Sequence, residues 1–112
     1  MTRLAFILAF LLTAPWEEAE TVEVKDRGTV DLKSFDCQDI TRSSLINRVC
    51  YDAEGRRMLV QRYVAYQQYC DVPRDTVDAF LNAPSMGRFF KTDIDGGDGN
   101  QRYACPPRTP SR

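Results

Sequence analysis

Residues 93–100, DIDGGDGN, are the part of the chain whose residue types most resemble a metal-binding loop, because three aspartates alternate with three glycines. An EF-hand loop needs Asp or Asn at positions 1, 3 and 5, Gly at position 6 and Glu at position 12. A register that starts at Asp93 has Gly97 at position 5, and one that starts at Asp95 has the same Gly97 at position 3. Both registers fail, so we expect no cofactor and no metal here; a weak, irregular calcium site that also uses Asp98 is the alternative.

Groups for acid–base or nucleophilic catalysis are few. The chain contains no histidine, which is the usual proton carrier near neutral pH. A glycosidase-like reaction could recruit Asp52, Asp71 or Asp75, but their spacing favours no pair. We therefore predict that the chain is not an enzyme.

Aromatic and arginine side chains recur in the middle of the chain and suggest a stacking surface for bases or sugars. The candidate binding residues are Tyr51, Tyr66, Tyr69, Arg48 and Arg62. Together with Arg88, the arginines would make a small basic and aromatic patch. The alternative is that most of the rings belong to the core and that the arginines only cover a solvated face.

The N-terminus has the pattern of an export signal. Arg3 precedes an apolar run of eleven residues, 4–14, which is too short for the roughly 20 residues of a membrane-spanning helix. We predict a signal peptide at residues 1–19 and an exported remainder without a membrane span.

Removal of this segment leaves a chain without a basic excess. Arg3, Glu17 and Glu18 are lost, and 14 basic and 14 acidic residues remain. Neutralisation of phosphates by basic residues dominates nucleic-acid affinity, so we expect a nucleic-acid partner to be unlikely.

An even number of cysteines in a short exported chain predicts two disulfides, with three possible connectivities. A zinc site is the competing interpretation, but such sites draw on close Cys or Cys/His pairs, and 12, 19 and 34 residues lie between successive cysteines here. The four cysteines are Cys37, Cys50, Cys70 and Cys105.

The elements that must position these residues follow from the hydrophobic pattern. Residues 20–42 are predicted to form an extended, partly ordered N-terminal arm. Clusters of β-branched and aromatic residues between turn residues predict three strands, at 44–52, 57–64 and 66–72.

Helical periodicity follows the third predicted strand. It indicates one helix at 73–83, stopped by Pro84, and a second at 86–94 that Ser85 can cap. The order β-β-β-α-α predicts an α+β fold, in which a small three-stranded antiparallel sheet is covered on one face by two short helices and stapled by disulfides. The uncovered face of the sheet is the expected ligand surface.

Three segments, SSLINRVCYDAEG, YQQYCDVP and VDAFLNAPSMGRFFKTDIDG, occur in this order between residues 43 and 96. In order and spacing they resemble the KTSC domain, a module found alone in bacterial and phage proteins and at the C-terminus of some lysyl-tRNA synthetases. The central Tyr-x-Tyr pattern of that family falls on residues 67–69, where only Tyr69 matches. The signal peptide and the cysteines resemble an exported branch of the family.

The resemblance implies a KTSC-like domain at 43–96, between the arm and a C-terminal strap and tail at 97–112. The family has no established activity, so the implied function is a periplasmic or secreted, non-catalytic binding or interaction module. Its expected partner is an unknown protein or small ligand in the periplasm. The alternatives are the RNA binding suggested for the family and a small secreted inhibitor or immunity-type protein.

The domain limits also suggest a disulfide pairing. Cys37 and Cys105 lie just outside the matched segment, so a bridge between them would close the fold through the flexible strap. The preferred second bridge, Cys50 to Cys70, needs Cα atoms within about 7 Å. That bridge fails if the first and third predicted strands flank the second.

Overall fold

A computed structural model of the chain describes residues 20–96 and 101–106. Residues 1–19, the predicted signal peptide, and most of the predicted strap and tail lie outside the described residues. In the part of the chain that the structure describes, no helix is long and apolar enough to cross a membrane.

The described residues form six strands followed by two short helices. The strands are β1 (Thr21–Val24), β2 (Gly28–Asp31), β3 (Asp36–Asp39), β4 (Arg48–Asp52), β5 (Arg57–Arg62) and β6 (Ala65–Tyr69). The helices are α1 (Arg74–Leu81) and α2 (Met86–Phe89), and a π-helical turn, Phe90–Ile94, continues α2.

All six strands belong to one sheet in the order β2-β1-β6-β5-β4-β3. The prediction of a three-stranded antiparallel sheet was therefore wrong. The three predicted strands correspond to β4, β5 and β6, but the predicted arm supplies β1, β2 and β3. The sheet is also mixed, because β1 runs parallel to β6, with Val24 opposite Tyr66, whereas the other neighbours are antiparallel.

The connection between β2 and β3 forces this sheet to curl. The two strands lie at opposite edges of the sheet, yet only residues 32–35 separate them. A flat sheet of six strands would place its edges about 24 Å apart, whereas so short a link spans about 17 Å when fully extended. The sheet is therefore a half-barrel whose edges approach each other.

The convex face of the half-barrel carries the main core under the helices. Along the central strands, the buried side chains of this core alternate with those of the other face, as the pleat requires. The whole core, including helix and loop residues, consists of Ile46, Val49, Tyr51, Met58, Val60, Tyr69, Val72, Val77, Phe80, Met86, Phe90, Ile94 and Tyr103.

The concave face carries a second, smaller core. Its buried members are Val24, Leu32, Phe35, Cys50, Leu59 and Tyr66. Leu32 and Phe35 come from the link that joins the two edges, and they close over the centre of the sheet. The face expected to be open for a ligand is thus filled by residues of the predicted arm.

The preferred disulfide pairing was also wrong. Strands β4 and β6 both pair with β5 and flank it, so Cys50 and the residues at the end of β6 are separated by two strand spacings, about 10 Å. Cys37 instead pairs with Cys50, its direct neighbour across β3 and β4, at a Cα–Cα distance of 3.9 Å. Cys70 pairs with Cys105, at a Cα–Cα distance of 4.9 Å.

The two helices agree with the sequence pattern. Val77 and Phe80 are the buried residues of α1, and the Ser85 hydroxyl accepts a hydrogen bond from the Arg88 backbone N–H at 3.2 Å to cap α2. Gly96 follows the π-helical turn with φ of 68°. Glycine adopts this left-handed conformation without a steric penalty, so Gly96 allows the chain to leave the last helix.

The turn between β4 and β5 is organised by a buried carboxylate. Asp52 accepts hydrogen bonds from Arg57 Nη2 at 2.8 Å and from the Gly55 N–H at 3.3 Å, and the Ser34 hydroxyl lies 3.4 Å away. The Arg57 guanidinium in turn lies 4.9 Å from the centroid of the Phe35 ring. The turn is thereby tied to the concave core.

Leu32→Ala tests whether the N-terminal strands are integral to the fold. Leu32 is 6% exposed in the concave core, and truncation of a buried leucine to alanine costs about 2 to 5 kcal/mol. We expect the free energy of unfolding of this variant, measured by urea titration, to decrease by about 2 to 5 kcal/mol. Lys33→Ala, at the exposed neighbour, should change it little. Equal stability of the two variants would contradict an integral role for this segment.

Asp52→Asn tests the buried carboxylate through its pH dependence. The hydrogen bond from Arg57 holds the pKa of Asp52 below its usual range, so the ionised form stabilises the folded state above about pH 4, and this contribution is lost as the pH falls through the lowered pKa. At pH 7 we expect the free energy of unfolding of the variant to be about 1 to 3 kcal/mol lower than that of the unaltered protein. In thermal melts, this difference between the two proteins should shrink below about pH 4. The exposed control Glu54→Gln should follow the unaltered protein throughout; a variant difference that is constant with pH would contradict the assignment.

Candidate functional site

The three candidate tyrosines are core residues and lie on both faces of the sheet. Tyr51 and Tyr69, 5% and 4% exposed, belong to the convex core, and Tyr66, 8% exposed, belongs to the concave core. The Tyr51 hydroxyl donates to the Val72 carbonyl at 2.7 Å. The structure therefore does not bring these rings together on one surface, and their burial agrees with the alternative that they are core.

Tyr69 is held as a neutral phenol. Its hydroxyl donates to Asp95 Oδ1 at 3.1 Å. Burial and the neighbouring Asp95 carboxylate raise the pKa of Tyr69 well above its usual value. The group serves as a hydrogen-bond donor between β6 and the end of the π-helical turn.

Arg48 connects the N-terminal segment to the central sheet. Its guanidinium donates to Glu20 at 2.7 and 3.1 Å and to the Tyr66 hydroxyl at 3.1 Å, and its Nε lies 3.4 Å from Asp39 Oδ1. The hydrogen bonds with Glu20 and Tyr66 raise the pKa of Arg48. The same Arg48–Glu20 hydrogen bond lowers the pKa of Glu20. These contacts engage the Arg48 side chain in linking β4 to β6 and to the residue that precedes β1.

Arg62 is the candidate residue that borders an exposed apolar surface. It ends β5, with its guanidinium 5.0 Å from the centroid of the Phe90 ring. The next two residues, Tyr63 and Val64, form the turn to β6, because Arg62 pairs with Ala65.

Tyr63 and Val64 are the exposed large hydrophobic residues of the described chain, at 73% and 87%. Tyr63 has φ of 60°, a left-handed conformation that costs a non-glycine residue roughly 1 to 2 kcal/mol. Two-residue hairpin turns favour glycine, asparagine or aspartate at positions of positive φ for this reason. A bulky aromatic residue kept at a strained, exposed position points to a functional role.

Asn47 holds this turn in place. Its side-chain oxygen accepts a hydrogen bond from the Tyr63 N–H at 2.6 Å. Its own backbone is fixed on both sides, since its N–H donates to the Gln61 carbonyl at 2.8 Å and its carbonyl accepts from the Ile40 N–H at 2.9 Å. A fixed turn loses less conformational entropy when a partner binds.

A groove of about 490 Å³ lies beside the turn. Among the described residues its lining contains two cations and no carboxylate. The lining residues are Ser44, Leu45, Tyr63, Ser85, Gly87, Arg88, Lys91 and Thr92. We call these residues, together with Val64, the hairpin-tip surface.

The local backbone of α2 shapes the groove. A Cβ atom on Gly87 would lie 3.6 and 3.7 Å from side-chain atoms of Leu45, so these two residues of the lining adjoin each other. The Thr92 hydroxyl donates to the Arg88 carbonyl at 3.0 Å, and Ser85 caps the Arg88 N–H. The backbone that carries Arg88 is therefore fixed at both ends.

A second cleft, of about 350 Å³, lies between the β1–β2 turn, β6 and Cys105. Several of its polar groups are already engaged with each other or with the chain. Tyr69 donates to Asp95, Gln68 Nε2 lies 3.4 and 3.7 Å from the sulfurs of the Cys70–Cys105 bridge, and Arg27 donates to the Pro106 carbonyl. We therefore regard the hairpin-tip surface as the stronger candidate.

The arrangement suits binding better than acid–base chemistry. The hairpin-tip surface offers cations, hydroxyls and apolar groups, and the buried carboxylate Asp52, at the other end of β5, is committed to the Arg57 guanidinium. No group of three or more His, Cys, Asp or Glu residues in the described part of the chain is placed to hold a metal ion. Asp98 of the alternative calcium site lies outside the described residues.

Sequence reasoning missed Val64 and Asn47, and it counted Tyr63 only among the aromatic rings of a possible stacking surface. One signal was present, because a tight turn without Asn or Gly between two strong strands implies a strained residue. The exposure of the two side chains and the position of Asn47 depend on tertiary structure.

Comparisons with known proteins agree with the resemblance seen in the sequence. The profile of the KTSC domain matches residues 42–97. The crystal structure of a KTSC domain protein from Yersinia pestis matches with a TM-score of 0.52 and 35% sequence identity, covering 55% of this chain and 87% of that chain. A search of curated proteins found no match. The profile match includes β4 to β6 and both helices, and it begins after β3.

Tyr63→Asn tests whether the positive φ of Tyr63 strains the backbone of the turn. Asparagine tolerates positive φ better than tyrosine, and little buried area is lost at an exposed position, so we expect the free energy of unfolding to rise by about 0.5 to 1 kcal/mol. Val64→Asn, at the neighbouring exposed residue without positive φ, should give no such gain in the same urea titration. A destabilised Tyr63→Asn variant would contradict the strain.

Proposed function

Because the chain belongs to the KTSC domain family, we propose that it is an exported, non-catalytic binding module whose hairpin-tip surface contacts a partner protein. One observation carries the proposal. Tyr63 and Val64 are exposed on a strained turn that Asn47 fixes beside a cationic groove.

The disulfides support the exported location. All four cysteines are paired as Cys37–Cys50 and Cys70–Cys105. Such bonds form and persist in oxidising compartments. Together with the N-terminal apolar run, they favour the periplasm or the exterior of a bacterial cell.

The exposed pair supports a binding role. Interfaces are enriched in tyrosine, and the most important contacts come from rigid apolar and aromatic anchors surrounded by polar groups. Val64 and Tyr63 have this character, and Arg88 and Lys91 provide a charged rim. A catalytic role would need an acid–base pair, and the lining of the groove offers none among the described residues.

Site-specific photo-crosslinking tests the proposal in cells that produce and export the full chain. With p-benzoylphenylalanine in place of Val64, we expect a discrete crosslinked protein adduct, because this side chain is 87% exposed and follows Tyr63, which lines the groove. The matched control carries the same photo-reactive residue in place of Glu54, which is exposed in the turn at the other end of β5.

The expected result is an adduct from position 64 that is absent or much weaker from position 54. It should be recovered from the periplasmic or extracellular fraction, with both disulfides intact in a non-reducing peptide map. Equal adducts from the two positions, or none from either, would contradict the proposed binding surface, and a reduced chain confined to the cytoplasm would contradict export.

A further inference from the structure

We infer that the partner presents an extended acidic segment with one apolar side chain to the hairpin-tip surface. This inference rests on the proposed function and specifies the chemistry of its partner. The segment places carboxylates against Arg88 and Lys91, and its apolar side chain packs on Val64 and Tyr63.

The first argument is local charge. The whole chain has a formal net charge of −1, yet the groove is lined by Arg88 and Lys91 without a carboxylate among its described lining residues. The neighbouring cation Arg62 does not line the groove; its guanidinium lies over the buried Phe90 ring. Complementary charge steers association and favours an acidic partner.

The second argument is the apolar character of the turn and of the groove residue Leu45. Val64 and Tyr63 are exposed in the absence of a partner, and the Leu45 side chain lies against Gly87 in the groove. Burial of one aliphatic side chain against such a surface contributes about 1.5 to 3 kcal/mol. A purely acidic segment would leave this contact unused.

The third argument is size and shape. The groove measures about 490 Å³, within the range of about 300 to 1,000 Å³ that is typical of small-ligand sites. A folded partner usually buries about 800 Å² on each side, which a groove of this size and one turn do not supply. An extended segment of a few residues fits the space, because it can lie in the groove beside Lys91 and Arg88.

Other polyanions fit less well. A nucleic acid gains affinity from many neutralised phosphates, whereas the described lining of the groove holds two cations, Arg88 and Lys91, and the chain as a whole has no basic excess. An anionic membrane presents a flat surface that leaves a concave groove unfilled. Both remain as probes in the test.

The test uses fluorescence anisotropy with the disulfide-intact protein and a fluorescein-labelled decapeptide that carries glutamates on both sides of one leucine. Matched peptides replace every glutamate with glutamine or the leucine with serine. A ten-nucleotide polyuridine and vesicles containing phosphatidylglycerol are the competing probes.

We expect the acidic leucine peptide to bind and each matched peptide to bind about tenfold more weakly. Arg88→Glu, Lys91→Glu and Val64→Ser should each weaken binding by about the same factor. Lys33→Glu makes the same charge change at an exposed residue of the link between β2 and β3 and should leave the affinity unchanged. Thermal melts of all variants establish that they are folded, and Lys91→Gln gives a milder variant with the same expected direction.

The inference is overturned if the acidic peptide does not bind, if folded charge-reversal variants bind it as well as the unaltered protein, or if polyuridine or the vesicles bind more tightly. Photo-crosslinking separates this failure from that of the proposed function. A specific adduct from position 64 without peptide binding would reject the acidic segment as the partner and keep the proposed binding function. The absence of both the adduct and peptide binding would reject both hypotheses.

Discussion

The short connection between β2 and β3 is the constraint on which the rest of the structure depends. Residues 32–35 join strands at opposite edges of a six-stranded sheet, and so few residues cannot cross the width of a flat sheet. The sheet must curl, and its curl creates an inside and an outside. Leu32 and Phe35 fill the inside, while the helices cover the outside.

The curl decides the role of most aromatic and charged residues. Alternation along the strands sends Tyr66 to the concave core and Tyr51 and Tyr69 to the convex one, so each ring is buried. Arg48 then bridges the strands by its bonds to Glu20 and Tyr66. With both faces of the sheet used for packing, exposed apolar groups are left at the hairpin tip rather than on a face.

The hairpin tip departs from the backbone conformation that its residues favour. A tyrosine at φ of 60° is unfavourable to folding, and its ring is not compensated by burial. The hydrogen bond from its N–H to Asn47 holds the conformation. Local conflict of this kind is typical of functional sites, and it agrees with the binding role proposed for this turn.

The sequence by itself determined the central strands, the two helices and the residues that begin and end them. These features depend on contacts between near neighbours: the Ser85 hydroxyl reaches the N–H three residues on, and Gly96 supplies the positive φ after the π-helical turn. The KTSC resemblance covers this same central segment. The presence of two disulfides followed from the even number of cysteines.

Only the tertiary structure decided the remaining strands, the cysteine pairing and the candidate surface. Strands β1 to β3 have four residues each, too few for a clear alternation, and they form because Val24 and Leu32 pack into the concave core. The pairing depends on strand order, which no local pattern encodes. The exposure of Val64 likewise follows from where the curled sheet and α2 end, since burial is a property of the assembled fold rather than of neighbouring residues.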